Sequence, residues 1–167
     1  MEIERKFTVK TLPVNLESYP CHTIEQAYLN TDPVVRIRKE DDSYYLTYKG
    51  KGLLAREEYN LPLNEASYYH LREKADGNVI SKRRYVIPVP DPEFDTTRLS
   101  SAEISIDQIS LSVELDIFDP PFSPLIIAEV EFPDEKTAEA FLPLDWFSQD
   151  VTNDPAYHNS NLSRREL

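Results

Sequence analysis

The sequence predicts a mainly β, α+β domain whose antiparallel strands can close into an eight-stranded barrel. Its lumen is polar if the charged strand faces point inward, and helices pack outside. Three observations lead to this prediction. Apolar and polar residues alternate with period two along most of the chain, as in strands with two different faces. The polar faces carry mainly charged side chains, and two short segments have helical periodicity. Eight strands suffice for a barrel that encloses a small ligand.

Length and composition indicate one soluble domain over residues 1–167. Hydrophobic residues make up 40% of the chain and charged residues 29%, which is typical of a globular protein. No apolar run reaches ~18 residues, so we expect no membrane partner. The N-terminus has no signal-like segment, which favours a cytoplasmic location. Cys21 is the single cysteine, which excludes an internal disulfide.

The charge balance limits the partners. The net charge is −12, so nucleic acid should be repelled and we expect no nucleic-acid partner. An anionic substrate would need a local positive pocket or bound metal cations. The chain has three glycines and no glycine-rich phosphate loop. If the protein binds phosphate, side chains must do so.

The alternation defines the strands, and turn residues such as Asp76-Gly77-Asn78 separate several of them. The predicted strands are 2–9, 24–30, 34–40, 44–50, 54–62, 79–87, 111–118 and 126–132. A further candidate strand lies at 102–107 within the segment 88–110. We expect a polar tail over 150–167 with a short helix near its end.

Two helices are predicted between the strands. The first spans 64–74, with Asn64 as N-cap and an apolar stripe that includes Tyr68. The second spans 134–142, with Asp134 as cap and Pro143 as the stop. We expect both helices to cover the apolar outer face of the barrel.

Charges of one sign recur at alternate positions of single strands. Like charges at such positions lie ~6–7 Å apart, and this repulsion needs an explanation. One interpretation is a solvated outer face. The other is a multivalent partner, because paired carboxylates suit a hard divalent cation and paired Arg and Lys suit clustered phosphates. The second interpretation turns the charged faces inward.

The sequence EIERK at 2–6 places two glutamates and a lysine at alternate positions of the first predicted strand. This motif resembles the E-x-E-x-K signature of the CYTH domains, the triphosphate tunnel metalloenzymes. Further similar stretches follow in the expected order: RIR at 36–38, LTYKG at 46–50, REEYN at 56–60, KRRY at 82–85, VELDIF at 113–118, AEVEF at 128–132 and DVTNDPAYHNSNL at 150–162. The segment 88–110 is longer than the connection expected there, which bears on substrate access.

The resemblance implies an antiparallel eight-stranded tunnel that hydrolyses a triphosphate with Mg²⁺ or Mn²⁺. The small bacterial inorganic triphosphatases are the most similar members, so the expected reaction converts tripolyphosphate to pyrophosphate and phosphate. A nucleoside or thiamine triphosphatase or an adenylate cyclase of the same fold is the alternative. From the chain end soon after NSNL we expect no second domain.

The resemblance also suggests roles for the charged residues. The expected metal ligands are Glu2, Glu4, Glu114, Asp116, Glu129 and Glu131. The expected substrate-binding residues are Lys6, Arg36, Arg38, Lys49, Glu58, Lys82 and Arg84. The expected catalytic residues are Tyr28, Lys6 and Glu114, with Glu114 orienting water and Tyr28 assisting Lys6. Residues Arg5, Lys39 and Arg83 fall on the opposite faces and are assigned to the surface, and the three histidines are expected to be exposed.

Two functions from other classes remain open. A non-catalytic polyphosphate or nucleotide sensor would keep the basic lining, but both Glu-x-Glu pairs favour an enzyme. A lipocalin-like carrier would need an apolar lumen, in which six cations would be costly to desolvate. The apolar outer faces allow a monomer or a homodimer, and the small-molecule triphosphate is the expected partner.

Overall fold

A computed structural model describes residues 1–99 and 108–167 of the chain. The candidate strand 102–107 lies outside the described residues. Within them the strands are β1 (Glu2–Val9), β2 (Cys21–Thr31), β3 (Val34–Glu40), β4 (Ser43–Lys49), β5 (Ala55–Arg56), β6 (Glu58–Leu63), β7 (Asp76–Val89), β8 (Leu111–Phe118), β9 (Ile126–Glu131) and β10 (Phe147–Asp150). The helices are α1 (Glu65–Arg72), α2 (Glu135–Ala140) and α3 (Asn159–Leu162).

The strands form one antiparallel sheet in the order β10-β1-β9-β8-β7-β2-β3-β4-β6, and β5 pairs separately with β1. The mainly antiparallel β architecture is therefore confirmed. The described residues contain ten strands, not eight. One addition arises because the predicted strand 54–62 is interrupted at Glu57. The other is β10, whose Phe147 stacks on Phe7 with ring centroids 4.6 Å apart.

A continuously hydrogen-bonded closed barrel is not confirmed. The end strands β10 and β6 do not pair. The two ends of the sheet meet where Glu2 and Ile3 face Arg56 and Ala55, and Glu4 N donates to Leu54 O at 3.0 Å beside them. The cause is the pairing of β1. One edge of β1 pairs with β9, whereas the other edge pairs with β5 at its beginning and with β10 at its end. The contact that closes the sheet is therefore short.

Both larger helices begin at the predicted caps. The Oδ1 atom of Asn64 accepts a hydrogen bond from Ser67 N, and that of Asp134 accepts one from Thr137 N. Helix α1 buries Tyr68 against Ala27 and Ile37. Helix α2 buries its alanines in the cluster that contains Phe7. The helices thus cover the apolar outer face, as predicted, and the polar face turns inward.

Two surface assignments were wrong. Arg5 donates from Nη1 to the carbonyls of Ala138 and Phe141, each at 2.8 Å, and pairs with Asp150 at 2.7 Å. It therefore joins β1 to α2 and β10. His158 is buried, and its Nε2 lies 3.3 Å from the carbonyl oxygen of Thr152. Arg83 is exposed, as expected.

No helix among the described residues is both long enough and apolar enough to cross a membrane.

Candidate active site

The inward faces of the strands enclose a charged cavity of about 500 Å³. Period-two alternation explains its lining, because every second residue of a strand points to the same side of the sheet. Most of the predicted site residues line it: Glu2, Glu4, Lys6, Arg36, Arg38, Lys49, Glu58, Arg84, Glu114, Glu129 and Glu131. The structure therefore brings together residues that are up to 129 positions apart in the printed sequence.

The strand register sets which charges meet. On β1 and β9, Glu4 faces Glu131 and Lys6 faces Glu129. Glu114 of β8 faces Glu129 from the other side. Three neighbouring strands thus present four carboxylates and one ammonium group on one surface. Directly opposed like charges are unfavourable unless a cation separates them.

Lys6 is the central cation of this surface. Its Nζ lies 2.7 Å from Glu4 Oε1 and 2.7 Å from Glu129 Oε1. Burial alone would lower the pKa of Lys6, but Glu129 and Glu4 raise it above the ordinary value. Lys6 therefore stays protonated at neutral pH and acts as a fixed positive charge.

Glu2 of β1 and Glu58 of β6 form a carboxyl pair that faces the cavity. Lys49 Nζ is 2.6 Å from Glu2 Oε2 and 3.0 Å from Glu58 Oε2. Burial, together with the nearby Glu4, raises the pKa of Glu2 to about 7. Burial would also raise the pKa of Glu58, but hydrogen bonding to Glu2 and the charge of Lys49 lower it to about 2. Below about pH 7 the pair therefore carries one proton, which resides on Glu2.

Arg84 connects the acidic surface to the interior. It forms two hydrogen bonds to Asp116, at 2.6 and 2.7 Å, contacts Glu114, and lies 3.0 Å from Glu129. Burial would lower the pKa of Arg84, but Asp116 and Glu114 raise it well above the ordinary value. This bidentate grip on Asp116 holds Arg84 in one orientation.

Asp116 and Lys82 do not line the cavity. Both side chains are fully buried, and Lys82 Nζ lies 2.5 Å from Asp116 Oδ2. The Asp116 carboxylate is therefore occupied by two cations, an arrangement that differs from the expected metal ligand. Burial lowers the pKa of Lys82 to about 8 against the effect of Asp116, so Lys82 is still charged at neutral pH. The pair lies behind Arg84 and supports it.

Arg36 is the exception among the buried cavity cations. It is 6% exposed, yet no carboxylate of the described residues pairs with it. Its Nη2 donates to Thr47 Oγ1 at 3.0 Å, and its Nε is buried without a hydrogen-bond partner. Burial and the neighbouring Arg38 lower its pKa. A buried guanidinium in this state is poised to receive an anion.

Arg38 is held mainly by neutral groups, and Glu40 Oε2 lies 3.9 Å from its Nη1. Its Nε and Nη2 donate to Gln26 Oε1 at 3.0 and 2.7 Å, and its Nη1 donates to Tyr45 OH at 3.3 Å. The Tyr45 hydroxyl donates in turn to Glu40 Oε2 at 2.5 Å. Arg38 therefore keeps most of its charge available to the cavity.

Tyr28 is buried at 3% exposure and packs with Val34 and Ile80. It lines a narrow space of about 30 Å³ that also touches Lys6 and Arg36. The Nζ of Lys6 bonds to the two carboxylates described above. The expected assistance of Tyr28 to Lys6 therefore stays a prediction.

The described residues contain no ready group of three or more His, Cys, Asp or Glu side chains able to hold a metal ion. The donor chemistry nevertheless fits a hard divalent cation, because the groups are carboxylates that repel one another. Burial, with Glu114 and Glu4, raises the pKa of Glu131. In this structure the carboxylates of Glu2, Glu4 and Glu129 are turned to Lys49 and Lys6. Metal binding would exchange those partners.

Several lining residues were not assigned from the sequence. Glu40, Tyr45 and Asn60 lie on the inward faces of their strands, where alternation alone would have found them. Asn159 comes from α3, and no local pattern predicts its position. Tyr44, Leu61 and Pro62 give one part of the cavity wall an apolar surface.

Similar proteins exist over nearly the full length of the chain. An inorganic triphosphatase of Nitrosomonas europaea is 34% identical over 166 residues, which covers 97% of this chain and 96% of that protein. An inorganic triphosphatase of Acetivibrio thermocellus is 33% identical over 165 residues, covering 96% and 92%.

The fold agrees with these similarities. The crystal structure of the inorganic triphosphatase NE1496 superposes with a TM-score of 0.68 at 31% identity, covering 99% of this chain and 96% of that one. The CYTH domain model matches residues 1–146. This chain therefore belongs to the CYTH domain family.

Proposed function

We propose that this protein hydrolyses inorganic triphosphate to pyrophosphate and orthophosphate in the charged cavity, with Mg²⁺ or Mn²⁺ as cofactor. The observation that carries the proposal is Arg36, a buried cation without a carboxylate partner among the described residues, which faces the same cavity as a carboxylate cluster. The phosphate oxygens of a metal-bound anion would pair with Arg36, and its divalent cations would neutralise the carboxylates. The two relatives named inorganic triphosphatase support this choice of anion.

The cations hold the substrate. Arg36 and Arg38 offer planar, bidentate donors to phosphate oxygens, and Lys49 adds a point charge. Asp116 holds Arg84 in place, and Lys82 pairs with Asp116 from behind. Lys82 would therefore support Arg84 and not contact the substrate itself. Lys6 remains protonated and stabilises the negative charge that spreads over the phosphate oxygens in the transition state. Substrate positioning and electrostatics thus provide most of the rate acceleration.

The carboxylates would hold the metal. We assign Glu2, Glu4, Glu129 and Glu131 as ligands, with Glu114 beside them. We assign Asp116 to the support of Arg84. When bound, a divalent cation neutralises charge on the phosphate oxygens and on the leaving pyrophosphate. Glu2 must lose its shared proton to become a ligand.

Glu114 is the residue we assign to water activation. Burial raises its pKa, Arg84 opposes this, and Glu129 adds to it, which brings the carboxylate closer to the range of a general base. Glu114 would accept the proton of the attacking water as the bond between the terminal phosphorus and its bridging oxygen breaks. Tyr28, behind Lys6 and Arg36, would keep these cations in place.

We further propose that the sheet works as one closed tunnel domain over residues 1–167, as a monomer or homodimer in the cytoplasm. The short β1–β5 pairing, which links the two ends of the sheet, supports closure. The net charge of −12 favours a small-molecule substrate over nucleic acid or an anionic membrane surface.

A second candidate is a nucleoside or thiamine triphosphatase of the same fold. The apolar wall formed by Tyr44, Leu61 and Pro62 favours it, because a ring could contact that wall while the phosphates lie deeper.

The test measures phosphate release from tripolyphosphate, ATP and thiamine triphosphate, with Mg²⁺, Mn²⁺ or a chelator. We expect tripolyphosphate to be the best substrate, with activity lost in chelator and in Glu4→Gln. The matched control is Glu57→Gln, which removes an exposed carboxylate outside the cavity lining. Faster hydrolysis of ATP or thiamine triphosphate would support the second candidate. Tight tripolyphosphate binding without hydrolysis of any substrate would indicate a sensor.

A further inference from the structure

A second cavity lies beyond the narrow space that touches Tyr28. It measures about 240 Å³, and we call it the rear vestibule, defined by Asp32, Lys51, Arg56, His158 and Arg164. Arg56 and His158 also line the narrow space, which in turn shares Lys6 and Arg36 with the main cavity. A space of about 30 Å³ holds only one or two water molecules. The vestibule is therefore next to the main cavity but separated from it.

The vestibule is positively charged in a strongly acidic protein. Lys51, Arg56 and Arg164 contribute three cations, and Asp32 contributes one carboxylate. The chain as a whole carries a net charge of −12. Clustered cations of this kind repel one another, and an anion between them would relieve that repulsion.

Among the described residues, no carboxylate forms an ion pair with any of the three vestibule cations. Within the part of the chain that the structure describes, neither Lys51 nor Arg56 forms an ion pair, and the side chain of Arg164 donates to Asn161 Oδ1 at 2.8 Å. Arg56 Nε is buried without a hydrogen-bond partner. A buried guanidinium donor of this kind is costly unless a ligand satisfies it.

Gly52 holds the loop that carries Lys51 close to β5. Its φ of +135° is a conformation that favours glycine, and a Cβ there would lie 2.0 Å from the carbonyl oxygen of Ala55. The loop thus takes a defined path, which sets the backbone of Lys51 beside Arg56 at the vestibule wall.

We propose that the rear vestibule is a second phosphate-binding site, distinct from the main cavity. The inference rests on the proposed function, because phosphate groups from two sources could then reach the vestibule. One source is the orthophosphate released on hydrolysis. The other is the distal end of a phosphate chain longer than three units. Both present the same tetrahedral, charged oxygen atoms, which Lys51, Arg56 and Arg164 would bind.

The first experiment titrates inorganic phosphate into the metal-free protein by calorimetry. Lys51→Gln/Arg164→Gln should weaken binding at least about tenfold, because charged hydrogen bonds are lost. Arg36→Gln removes a cation of the main cavity. Adding the double substitution to this variant should weaken its phosphate binding by the same factor as in the wild type. The matched control is Lys10→Gln/Arg165→Gln, which removes two exposed cations outside the vestibule lining and should change binding less than about twofold.

Three results would overturn the inference. An equal loss in the control pair would mean that only net charge matters. A loss with Arg36→Gln and none with Lys51→Gln/Arg164→Gln would put the bound phosphate in the main cavity only. No binding to the wild type at millimolar phosphate would remove the site altogether.

A kinetic arm separates the two sources. If the vestibule takes released orthophosphate, the double variant should show weaker inhibition by added phosphate at unchanged initial rate on tripolyphosphate. If it takes a longer chain, kcat/KM should fall for tetrapolyphosphate and not for tripolyphosphate. A wild type that binds phosphate through Lys51 and Arg164 but does not cleave tripolyphosphate would sink the proposed function and leave the site intact. Normal hydrolysis of tripolyphosphate, with phosphate binding unchanged in the double variant, would overturn the vestibule site and leave the proposed function intact.

Discussion

Arg36 differs from the other buried cations of the cavity because no carboxylate in the described part of the chain neutralises it. Lys6, Lys49 and Arg84 each contact at least two carboxylates. In those three the protein itself supplies the counter-charge. At Arg36 a ligand must do so, which makes this residue the most direct probe of substrate binding.

Arg36→Gln should raise KM for tripolyphosphate at least about tenfold, since a charged hydrogen-bond donor to phosphate is lost. Stability should stay the same or increase, because an unpaired buried charge is removed. Steady-state kinetics and thermal unfolding measure the two effects. Arg83→Gln, which removes an exposed arginine on the opposite face, is the control. An unchanged KM would contradict the proposed binding role.

The shared proton of Glu2 and Glu58 makes stability depend on pH. Burial, with the help of Glu4, raises the pKa of Glu2 from 4.5 to about 7. A raised folded-state pKa contributes stability that is complete below the unfolded value and is lost as pH rises through the folded value. The depressed pKa of Glu58, about 2, adds stability that is complete above the unfolded value of 4.5 and is lost as pH falls from there to about 2.

The metal-free protein should therefore lose stability, on the order of 1–3 kcal/mol, between about pH 5 and pH 8. Thermal unfolding in the presence of chelator over this range measures the loss. Glu2→Gln cannot take up the proton, so its profile should be flatter. A wild-type Tm that rises across the same range would show that Glu2 does not carry the proton.

At the scale of elements, Arg5 connects three parts of the fold. It lies on β1, donates to the carbonyls of Ala138 and Phe141 at the end of α2, and pairs with Asp150 of β10. Its guanidinium also lies 5.0 Å from the centre of the Phe7 ring. Glu2, Glu4 and Lys6 point inward from β1. Arg5, which lies between them on the outer face, therefore anchors this strand to α2 and β10.

Arg5→Ala should lower the free energy of unfolding by about 2–3 kcal/mol, because two buried carbonyls lose a charged donor. Since Arg5 does not face the cavity, kcat per folded molecule should change little. Denaturant unfolding and activity at low temperature test the two statements, with Arg83→Ala as the exposed control. A variant of wild-type stability would mean that water replaces the lost donor without cost.

At the scale of the whole molecule, the inward carboxylates form a repulsive cluster. Glu131 shows it most clearly, because burial, Glu114 and Glu4 together raise its pKa. No preformed metal cluster exists among the described residues, so cation binding has to draw carboxylates away from Lys6 and Lys49. Metal binding and folding stability should therefore be linked.

Adding Mg²⁺ or Mn²⁺ at a hundredfold excess over Kd should stabilise the protein by about 2–3 kcal/mol. Differential scanning calorimetry with and without chelator measures the shift. Glu131→Gln should bind the metal more weakly and show a smaller shift at equal metal concentration, whereas Glu57→Gln should match the wild type. A Tm that is independent of both metals would argue against the assigned ligand set.

The sequence predicted most of the strands and both larger helices, because their signals are local. Alternation marks strand faces, and Asn64 and Asp134 act as caps within three residues of their donors. Strand β10 was missed because it is four residues long and its stability comes from Phe147 packing on Phe7 of a distant strand. His158 was misassigned for the same reason, since its burial depends on where the tail folds back.

The sequence by itself determined which side chains share a face, because side-chain direction along a strand has a period of two residues. That was enough to predict one charged face on most strands, with acids and bases sorted by strand. The resemblance to the CYTH domains then favoured turning these faces inward. Only the tertiary structure decided which charges meet, because this depends on strand order and register between distant segments. It put Glu4 opposite Glu131 and moved Lys82 and Asp116 behind Arg84. It also left Arg36 without a carboxylate in the described residues, since the strands beside it present Tyr28 and Thr47.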